Sequence, residues 1–282
     1  MQLALGFLAA PLLLGCSSGG GNGARGAGED GAAATQPAGF SLERYELAAG
    51  PFEIDGVEDN LSGVAYAAET GSLWAVVNSP TLLIEMTPDG EVKRRLPLLG
   101  GGDTEGITSL GDGRLAISEE GAQLVLVFDI PAPDARAVDL RQARALRVAE
   151  GYGRNTGMEG VAWDAKGERL FVVREKPPAL YVVPMPSGEE DSTAVLGRKV
   201  CDFGPDTADI SDAAGICWNP ATGRLLVVSD ESACVVDCTT DGREVGRLAV
   251  HAPQPEGVAI GPDGALYVVS EPNLLLVYKA RQ

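Results

Sequence analysis

Five segments of the chain repeat one pattern, and this repeat restricts the fold more than any other sequence feature. Each copy has a small or acidic residue, a glycine, an apolar run, a turn, a leucine and a second apolar run with a polar end. The copies occupy residues 61–78, 104–120, 158–175, 213–230 and 255–271. Their glycines are Gly63, Gly106, Gly160, Gly215 and Gly257, at intervals of 42 to 55 residues. Self-similarity with this period indicates an array of like supersecondary units.

Each copy predicts a β-hairpin. The turn sequences ETGS, GDGR, AKGE, ATGR and PDGA lie in the middle of the copies, and their glycines supply the positive φ that tight turns need. The flanking runs are rich in Val, Leu and aromatic residues, which strands prefer. A third apolar run follows in every copy and a fourth in four of them. Four strands per repeat predict the blades of a β-propeller.

The last copy has only three strands before Gln282, so a closed ring needs one more strand. Residues 41–54 alternate apolar and polar residues and have no other assignment. We expect this stretch to pair with the last blade. The predicted fold is therefore all-β, a five-bladed propeller with four-stranded blades over residues 41–282. A two-domain sandwich is the rival, which the even repeat disfavours. Residues 134–150 are helix-compatible in composition, but we interpret them as a loop and a strand.

The N-terminus predicts export and lipidation. The apolar run from Leu3 to Leu14 is too short to span a bilayer as a helix and fits a secretory signal. It ends in Leu-Leu-Gly-Cys, which resembles a bacterial lipobox and implies cleavage before Cys16 and lipidation of its thiol. An ordinary signal peptide is the alternative. We expect a signal peptide at 1–15 and a flexible Gly/Ala-rich tether at 16–40.

These features place the protein in the cell envelope. The residue after the cysteine is Ser17 rather than Asp, which in a Gram-negative cell favours the outer membrane, so we expect a lipid-anchored protein at the outer membrane or facing the periplasm. The formal net charge is -18. Such a charge opposes binding to nucleic acid or anionic lipid and favours cations or basic partners. We therefore expect membrane contact only through the lipid on Cys16.

Four further cysteines leave two alternatives open. An exported protein with Cys201, Cys217, Cys234 and Cys238 can form disulfides, but buried free thiols fit equally well. The spacing of the last two, with no His nearby, is a weak zinc pattern.

Acidic residues stand at both open ends of most hairpins. In a propeller the first strand of each blade lines the channel, and the second runs antiparallel beside it. The start of the first strand and the end of the second therefore share one face. The position before the repeat glycine holds Ser62, Glu105, Glu159, Ala214 and Glu256, and the end of the second run holds Asn78, Glu120, Glu175, Asp230 and Glu271.

Carboxylates that converge in this way must protonate, stay hydrated or bind a cation. Ligands that offer only oxygen favour Ca²⁺ over zinc. Solvated acids in a water-filled channel are the alternative. The predicted metal ligands are Glu105, Glu159, Glu256, Glu175, Asp230 and Glu271. Ala214 departs from the pattern, so we expect an asymmetric site.

Several motifs resemble the SdiA-regulated family of bacterial propeller proteins. They are NLSGV (60–64), DTEGI (103–107), NTGMEGVAW (155–163), DISDAAGICWNP (209–220), LLVVSDES (225–232) and PEGVAIGPDGALYVVSEPN (255–273). The match covers roughly residues 42 to 280. It implies a five-bladed propeller, distantly similar to NHL-repeat propellers, in an exported protein with a Ca²⁺ site. It implies no particular biochemical activity.

Two classes of function follow. The first is a module that binds an unknown protein or small-molecule ligand at the propeller face, with Ca²⁺ at the acidic end. The alternative is a metal-dependent hydrolase of lactonase, esterase or phosphoesterase type, with Glu159 or Glu256 as base. The binding module is favoured, because His251 is the only histidine and no Ser-His-Asp triad can be built.

Three further residue types complete the expectations. His251 is expected in a loop, without a function of its own, and Asn155 can cap its loop or donate a carbonyl oxygen to the ion. Trp163 and Trp218 occupy matching strand positions and are expected to pack between blades rather than to stack on a sugar.

Overall fold

The computed structural model describes residues 39–149, 157–188 and 196–281. The signal sequence, Cys16, most of the tether and Asn155 lie outside the described residues. The described chain forms 21 β-strands and two short 3₁₀ turns, of which the first is Leu42–Arg44. None of its helical segments is long and apolar enough to cross a membrane.

The strands form five sheets arranged as blades, which confirms the predicted propeller. Blade 1 contains β2 (Leu61–Ala67), β3 (Ser72–Val77), β4 (Leu82–Met86) and β5 (Val92–Leu99). Blade 2 contains β6 (Thr104–Ser109), β7 (Arg114–Glu119), β8 (Leu124–Asp129) and β10 (Arg144–Arg147). Blade 3 contains β11 (Met158–Asp164), β12 (Arg169–Arg174), β13 (Ala179–Pro184) and β14 (Arg198–Asp202). Blade 4 contains β15 (Gly215–Asn219), β16 (Arg224–Ser229), β17 (Cys234–Cys238) and β18 (Glu244–Ala249).

The fifth blade joins the two ends of the described chain. It contains β19 (Pro255–Ile260), β20 (Leu266–Ser270), β21 (Leu274–Ala280) and, as its outer strand, β1 (Tyr45–Glu53). The β1 strand runs antiparallel to β21, from Tyr45 opposite Ala280 to Glu53 opposite Leu274. The N-terminal strand therefore closes the ring, as the unassigned stretch at residues 41–54 predicted.

The segment between the third and fourth strands of blade 2 contains little helix. Its strand β9 (Val138–Asp139) pairs in parallel with the edge of blade 1, and a 3₁₀ turn at Leu140–Gln142 leads into β10. The prediction of a loop and a strand is confirmed over the described part of residues 134–150.

The core lies between neighbouring blades, because each sheet is covered on both faces. Every residue of β3 is buried. Its sequence, SLWAVV, accordingly does not alternate apolar and polar residues. Trp74 on β3 is completely buried and packs in one cluster with Leu115 of blade 2. Full burial of such a side chain contributes about 1.5–3 kcal/mol. The four described cysteines Cys201, Cys217, Cys234 and Cys238 are free thiols, so the unpaired alternative holds.

The inner strands approach one another most closely at the five repeat glycines. A Cβ added at any of them would lie 2.3–2.9 Å from a backbone atom of the next inner strand; the five are Gly63, Gly106, Gly160, Gly215 and Gly257. Real Cβ atoms do not approach backbone this closely, so only glycine fits. We call these residues the glycine ring. The space left inside the glycine ring is only about 10 Å³, so the ring closes the channel between its two mouths.

Candidate cation site at one channel mouth

An acidic cavity of about 380 Å³ lies on one side of the glycine ring. All six predicted ligands line it, together with Glu120 and Asp212; the eight carboxylates are those of Glu105, Glu120, Glu159, Glu175, Asp212, Asp230, Glu256 and Glu271. Among the described residues that line it, Lys176 is the only cation. We call this cavity the acidic mouth.

Backbone pairing at the open ends of the hairpins brings these acids together. The amide of Glu120 donates to the carbonyl of Asp103 (2.8 Å), and the amide of Glu271 donates to the carbonyl of Gln254 (3.0 Å). The amide of Glu175 donates in the same way to the carbonyl of Gly157 (3.2 Å). Each acceptor stands three residues before a ring glycine. In these three blades the end of the second strand is thereby held beside the start of the inner strand.

Three carboxylates form the tightest group. One carboxylate oxygen from each of Asp103, Glu105 and Glu120 lies within 4.8 Å of the other two. Asn78 Nδ2 donates to Glu105 Oε1 (2.8 Å), and the amide of Gly157 donates to Glu120 Oε1 (3.1 Å). The described part of the chain places no Lys or Arg in ion-pair contact with any of the three. The group therefore presents several oxygens and little compensating positive charge.

Glu159 is the most buried acid of the mouth. It is only 9% exposed, and its backbone carbonyl accepts a hydrogen bond from Ser118 Oγ. Its carboxylate accepts no hydrogen bond from another described residue. A largely buried carboxylate without protein donors is costly when it is charged, so it protonates, binds a cation or takes its hydrogen bonds from water in the cavity.

Burial and mutual repulsion shift the acids of the mouth toward protonation. Burial, followed by the charges of Glu271 and Asp230, raises the pKa of Glu256 to about 9. Burial also raises the pKa of Glu105 to about 7, against the opposing effect of the Asn78 hydrogen bond. The pKa of Glu120 is likewise raised to about 7 by burial and by Asp103.

The pKa values of three further acids shift in the same direction and with the same leading cause. Burial raises the pKa of Glu159 well above its ordinary value, and the charges of Glu105 and Glu120 add to the effect. Burial also raises the pKa values of Asp230 and Glu271. The acidic mouth therefore holds fewer negative charges at neutral pH than its composition suggests, unless a cation enters.

The sequence interpretation missed Asp103 and Asp212. Both stand three residues before a ring glycine and precede the inner strands β6 and β15. Asp212 is only 2% exposed and accepts hydrogen bonds from Ser229 Oγ and from the amide of Glu231. It supplies a carboxylate in the blade where Ala214 does not. Comparison of this one repeat position across the five copies would have singled out both carboxylates, but not the groups that they join.

Lys176 partly neutralises one side of the mouth. Its ammonium group lies 3.1 Å from Glu175 and 2.9 Å from Glu231. These pairs leave the group of Asp103, Glu105 and Glu120 without a cation. Glu175 is therefore less available to a metal ion than the sequence pattern suggested.

The other residues that the sequence singled out lie elsewhere. His251 is exposed in the loop between β18 and β19 and does not line the acidic mouth. Trp218 stacks on Phe171 of the neighbouring blade, with ring centroids 5.9 Å apart and planes 12° apart. The expected packing between blades is thus present for Trp218. Trp163 is half-buried and packs against the core cluster between blades 2 and 3.

Solved structures with this architecture are similar over most of the chain. Regucalcin from Agrobacterium tumefaciens, described as a calcium-binding protein, matches with a TM-score of 0.51 and 16% identity over 81% of this chain and 92% of that one. A luciferin-regenerating enzyme matches with a TM-score of 0.50 and 14% identity over 83% and 96%. A chain of a nidogen/laminin complex matches with 0.51 and 13% over 76% and 73%. Identities this low show the propeller fold alone.

The match at the level of sequence is more specific. The family model described as SdiA-regulated covers residues 38–279, which include all five blades and every acid of the mouth. Together with the five-bladed fold, this match shows that the chain belongs to the SdiA-regulated family.

Proposed function

We propose that the acidic mouth binds Ca²⁺ and that the propeller acts as a binding module whose ligand-binding face includes that ion. The observation that carries the proposal is the group of Asp103, Glu105 and Glu120, whose carboxylate oxygens converge within 4.8 Å. Converging oxygens without an ammonium or guanidinium partner are relieved most directly by a divalent cation.

The donor set fits a hard cation. Ca²⁺ accepts six to eight oxygen ligands from carboxylates, carbonyls and water, and its geometry is flexible. The three acids would hold it, with the buried Glu159 beside them as a further source of negative charge. No His or Cys lines the mouth among the described residues, so a zinc site of nitrogen and sulfur ligands is disfavoured.

The shape of the mouth favours binding over transport through the channel. The glycine ring closes its floor, and the remaining acids stand around a space of about 380 Å³. A ligand with its own oxygen or amine groups can therefore approach the ion and the outer carboxylates from one side only. This arrangement supports recognition of a small polar ligand, or of one side chain of a protein partner.

Calorimetric titration of the chelator-stripped protein with CaCl₂ tests the ion site. We expect saturable binding and a higher melting temperature. At 100 times the dissociation constant, the gain in unfolding free energy is about 2.7 kcal/mol. For a domain of this size that corresponds to about 5–10 °C.

Two variants and one control locate the ion. Glu105→Gln and Glu120→Gln should each abolish most of the calcium-dependent stabilisation. Glu53→Gln makes the same change in net charge on the outer strand β1, where its side chain is exposed, and should leave calcium binding unchanged. Equal binding in all four proteins, or no binding to the unmodified chain, would refute the site.

A metal-dependent hydrolase is the second candidate. The raised pKa of Glu256, about 9, would allow a protonated carboxyl at neutral pH, as a general acid requires. A screen of lactone, ester and phosphoester substrates with Ca²⁺ present separates the two candidates. Turnover that Glu256→Gln abolishes, while calcium binding persists, would favour the hydrolase.

We further propose that Cys16 carries a lipid that holds the propeller at the cell envelope. The Leu-Leu-Gly-Cys sequence at residues 13–16 supports this part of the proposal. It would present the acidic mouth to ligands or protein partners outside the cytoplasm.

A further inference from the structure

A second cavity, of about 650 Å³, lies on the other side of the glycine ring. Each inner strand contributes to it the residue three positions after its ring glycine. These residues are Tyr66, Ser109, Trp163, Trp218 and Ile260, and all five are partly exposed. At about 3.3 Å per residue, this layer lies about 13 Å along the strand from the acids that precede the glycines. We call this cavity the aromatic funnel.

The funnel is lined by aromatic and apolar side chains, whereas the acidic mouth is lined by carboxylates. Two indole rings and a phenol ring stand at its wall, and no carboxylate lines it among the described residues. In the described part of the chain, Lys166 is the only charged residue of the lining, and the remaining polar side chains are small hydroxyl and thiol groups. The chain has a net charge of -18, so a channel mouth without acids differs from most of its surface and favours uncharged ligands.

The funnel is rigid on the side of blade 4. Trp218 is stacked on Phe171, and the guanidinium carbon of Arg169 lies 4.8 Å from the centroid of that phenyl ring. Phe171 is itself only 1% exposed. Trp218 is therefore held in place before any ligand arrives. A preorganised aromatic surface binds with a smaller loss of conformational entropy than a mobile one.

The floor of the funnel is apolar and closed. One residue after each ring glycine stands a β-branched side chain that is at most 3% exposed; the five are Val64, Ile107, Val161, Ile216 and Val258. These side chains and the glycine ring separate the funnel from the acidic mouth. The volume falls in the range of small-molecule sites, about 300–1,000 Å³.

We propose that the aromatic funnel binds an uncharged small molecule built on an aromatic or fused ring. Offset stacking on an indole favours such a ring by about 0.5–1.5 kcal/mol beyond its buried area. A sugar ring fits less well, because its hydroxyl groups would be desolvated against few hydrogen-bond partners. An anion would be repelled by the field of the acidic chain.

The fluorescent probe N-phenyl-1-naphthylamine, which is uncharged, tests this proposal in the calcium-free full chain. We expect a saturable rise in its emission, with energy transfer from Trp163 and Trp218. Ser109→Trp should fill the funnel and weaken binding at least about tenfold, which corresponds to 1.4 kcal/mol. Ile260→Glu, which places a charge in the wall, should do the same if Ser109→Trp does not fold.

Two controls separate this proposal from the calcium site. Glu256→Gln, on the opposite side of the glycine ring, should bind the probe like the unmodified chain. Absence of calcium binding in the unmodified chain, with probe binding still present, would refute the calcium site alone. The sulfonated analogue 1-anilinonaphthalene-8-sulfonate should bind more weakly than the neutral probe. Tighter binding of that anion, no saturable signal, or equal binding in the folded Ser109→Trp and Ile260→Glu proteins would overturn the proposal.

Discussion

Glu256→Gln should change how the stability of the metal-free protein depends on pH. Burial and neighbouring acids raise the pKa of Glu256 to about 9, from an ordinary value of 4.5. Between these values the folded chain retains a proton that the unfolded chain has lost. Stability from this group is therefore complete below pH 4.5 and is lost as pH rises toward 9. The slope is about 1.4 kcal/mol per pH unit, or about 2.7 kcal/mol between pH 5.5 and 7.5.

Urea unfolding followed by circular dichroism, in chelator at several pH values, measures this slope. Glutamine mimics the protonated acid, so Glu256→Gln should remove about 2–3 kcal/mol of the loss between pH 5.5 and 7.5. Glu53→Gln is the matched control, because that side chain is exposed on the outer strand β1 and does not line the acidic mouth. Stability that rises with pH in the metal-free protein, or an unchanged slope in Glu256→Gln, would refute the reasoning. Excess Ca²⁺ should flatten the slope of the unmodified chain, since bound carboxylates remain ionised.

Two further predictions concern the ring and the anchor. Gly160→Ala would place a Cβ 2.4 Å from the Ile216 amide nitrogen, so we expect a loss of about 3 kcal/mol and a melting temperature about 5–10 °C lower. Gly121→Ala, where an added Cβ meets nothing within 4 Å, should melt like the unmodified protein, and similar melting of both variants would contradict the role of the ring. Cys16→Ala should move the protein from the membrane fraction to the soluble envelope fraction, as immunoblotting of fractionated cells would show; retention in the membrane would exclude a lipid on Cys16 as the anchor.

The propeller was predictable because its signals are local and repeated. Turn glycines and apolar runs define each hairpin, and the repetition counts the blades. Because the last blade lacked a fourth strand, residues 41–54 were predicted to supply it. In the structure β1 pairs with β21 as expected. The acids at the hairpin ends were also predictable, because antiparallel pairing puts the start of one strand beside the end of the next.

The role of the repeat glycines was not predictable from the pattern. Gly160 sits inside an inner strand rather than in a turn, and its function is to let two backbones approach closely. Similarly, Trp163 and Trp218 share a repeat position, but only the closed ring brings them to one cavity with Tyr66.

The sequence by itself determined the strands, their faces and the number of blades, because a residue's strand face follows from its position along the chain. Distances between blades depend instead on how the ring closes. Tertiary structure alone decided that Asp103 joins Glu105 and Glu120, and that Asp212 replaces the acid absent at Ala214. It also decided the raised pKa of Glu256, because burial and the charges of Glu271 and Asp230 depend on how the strands and blades pack.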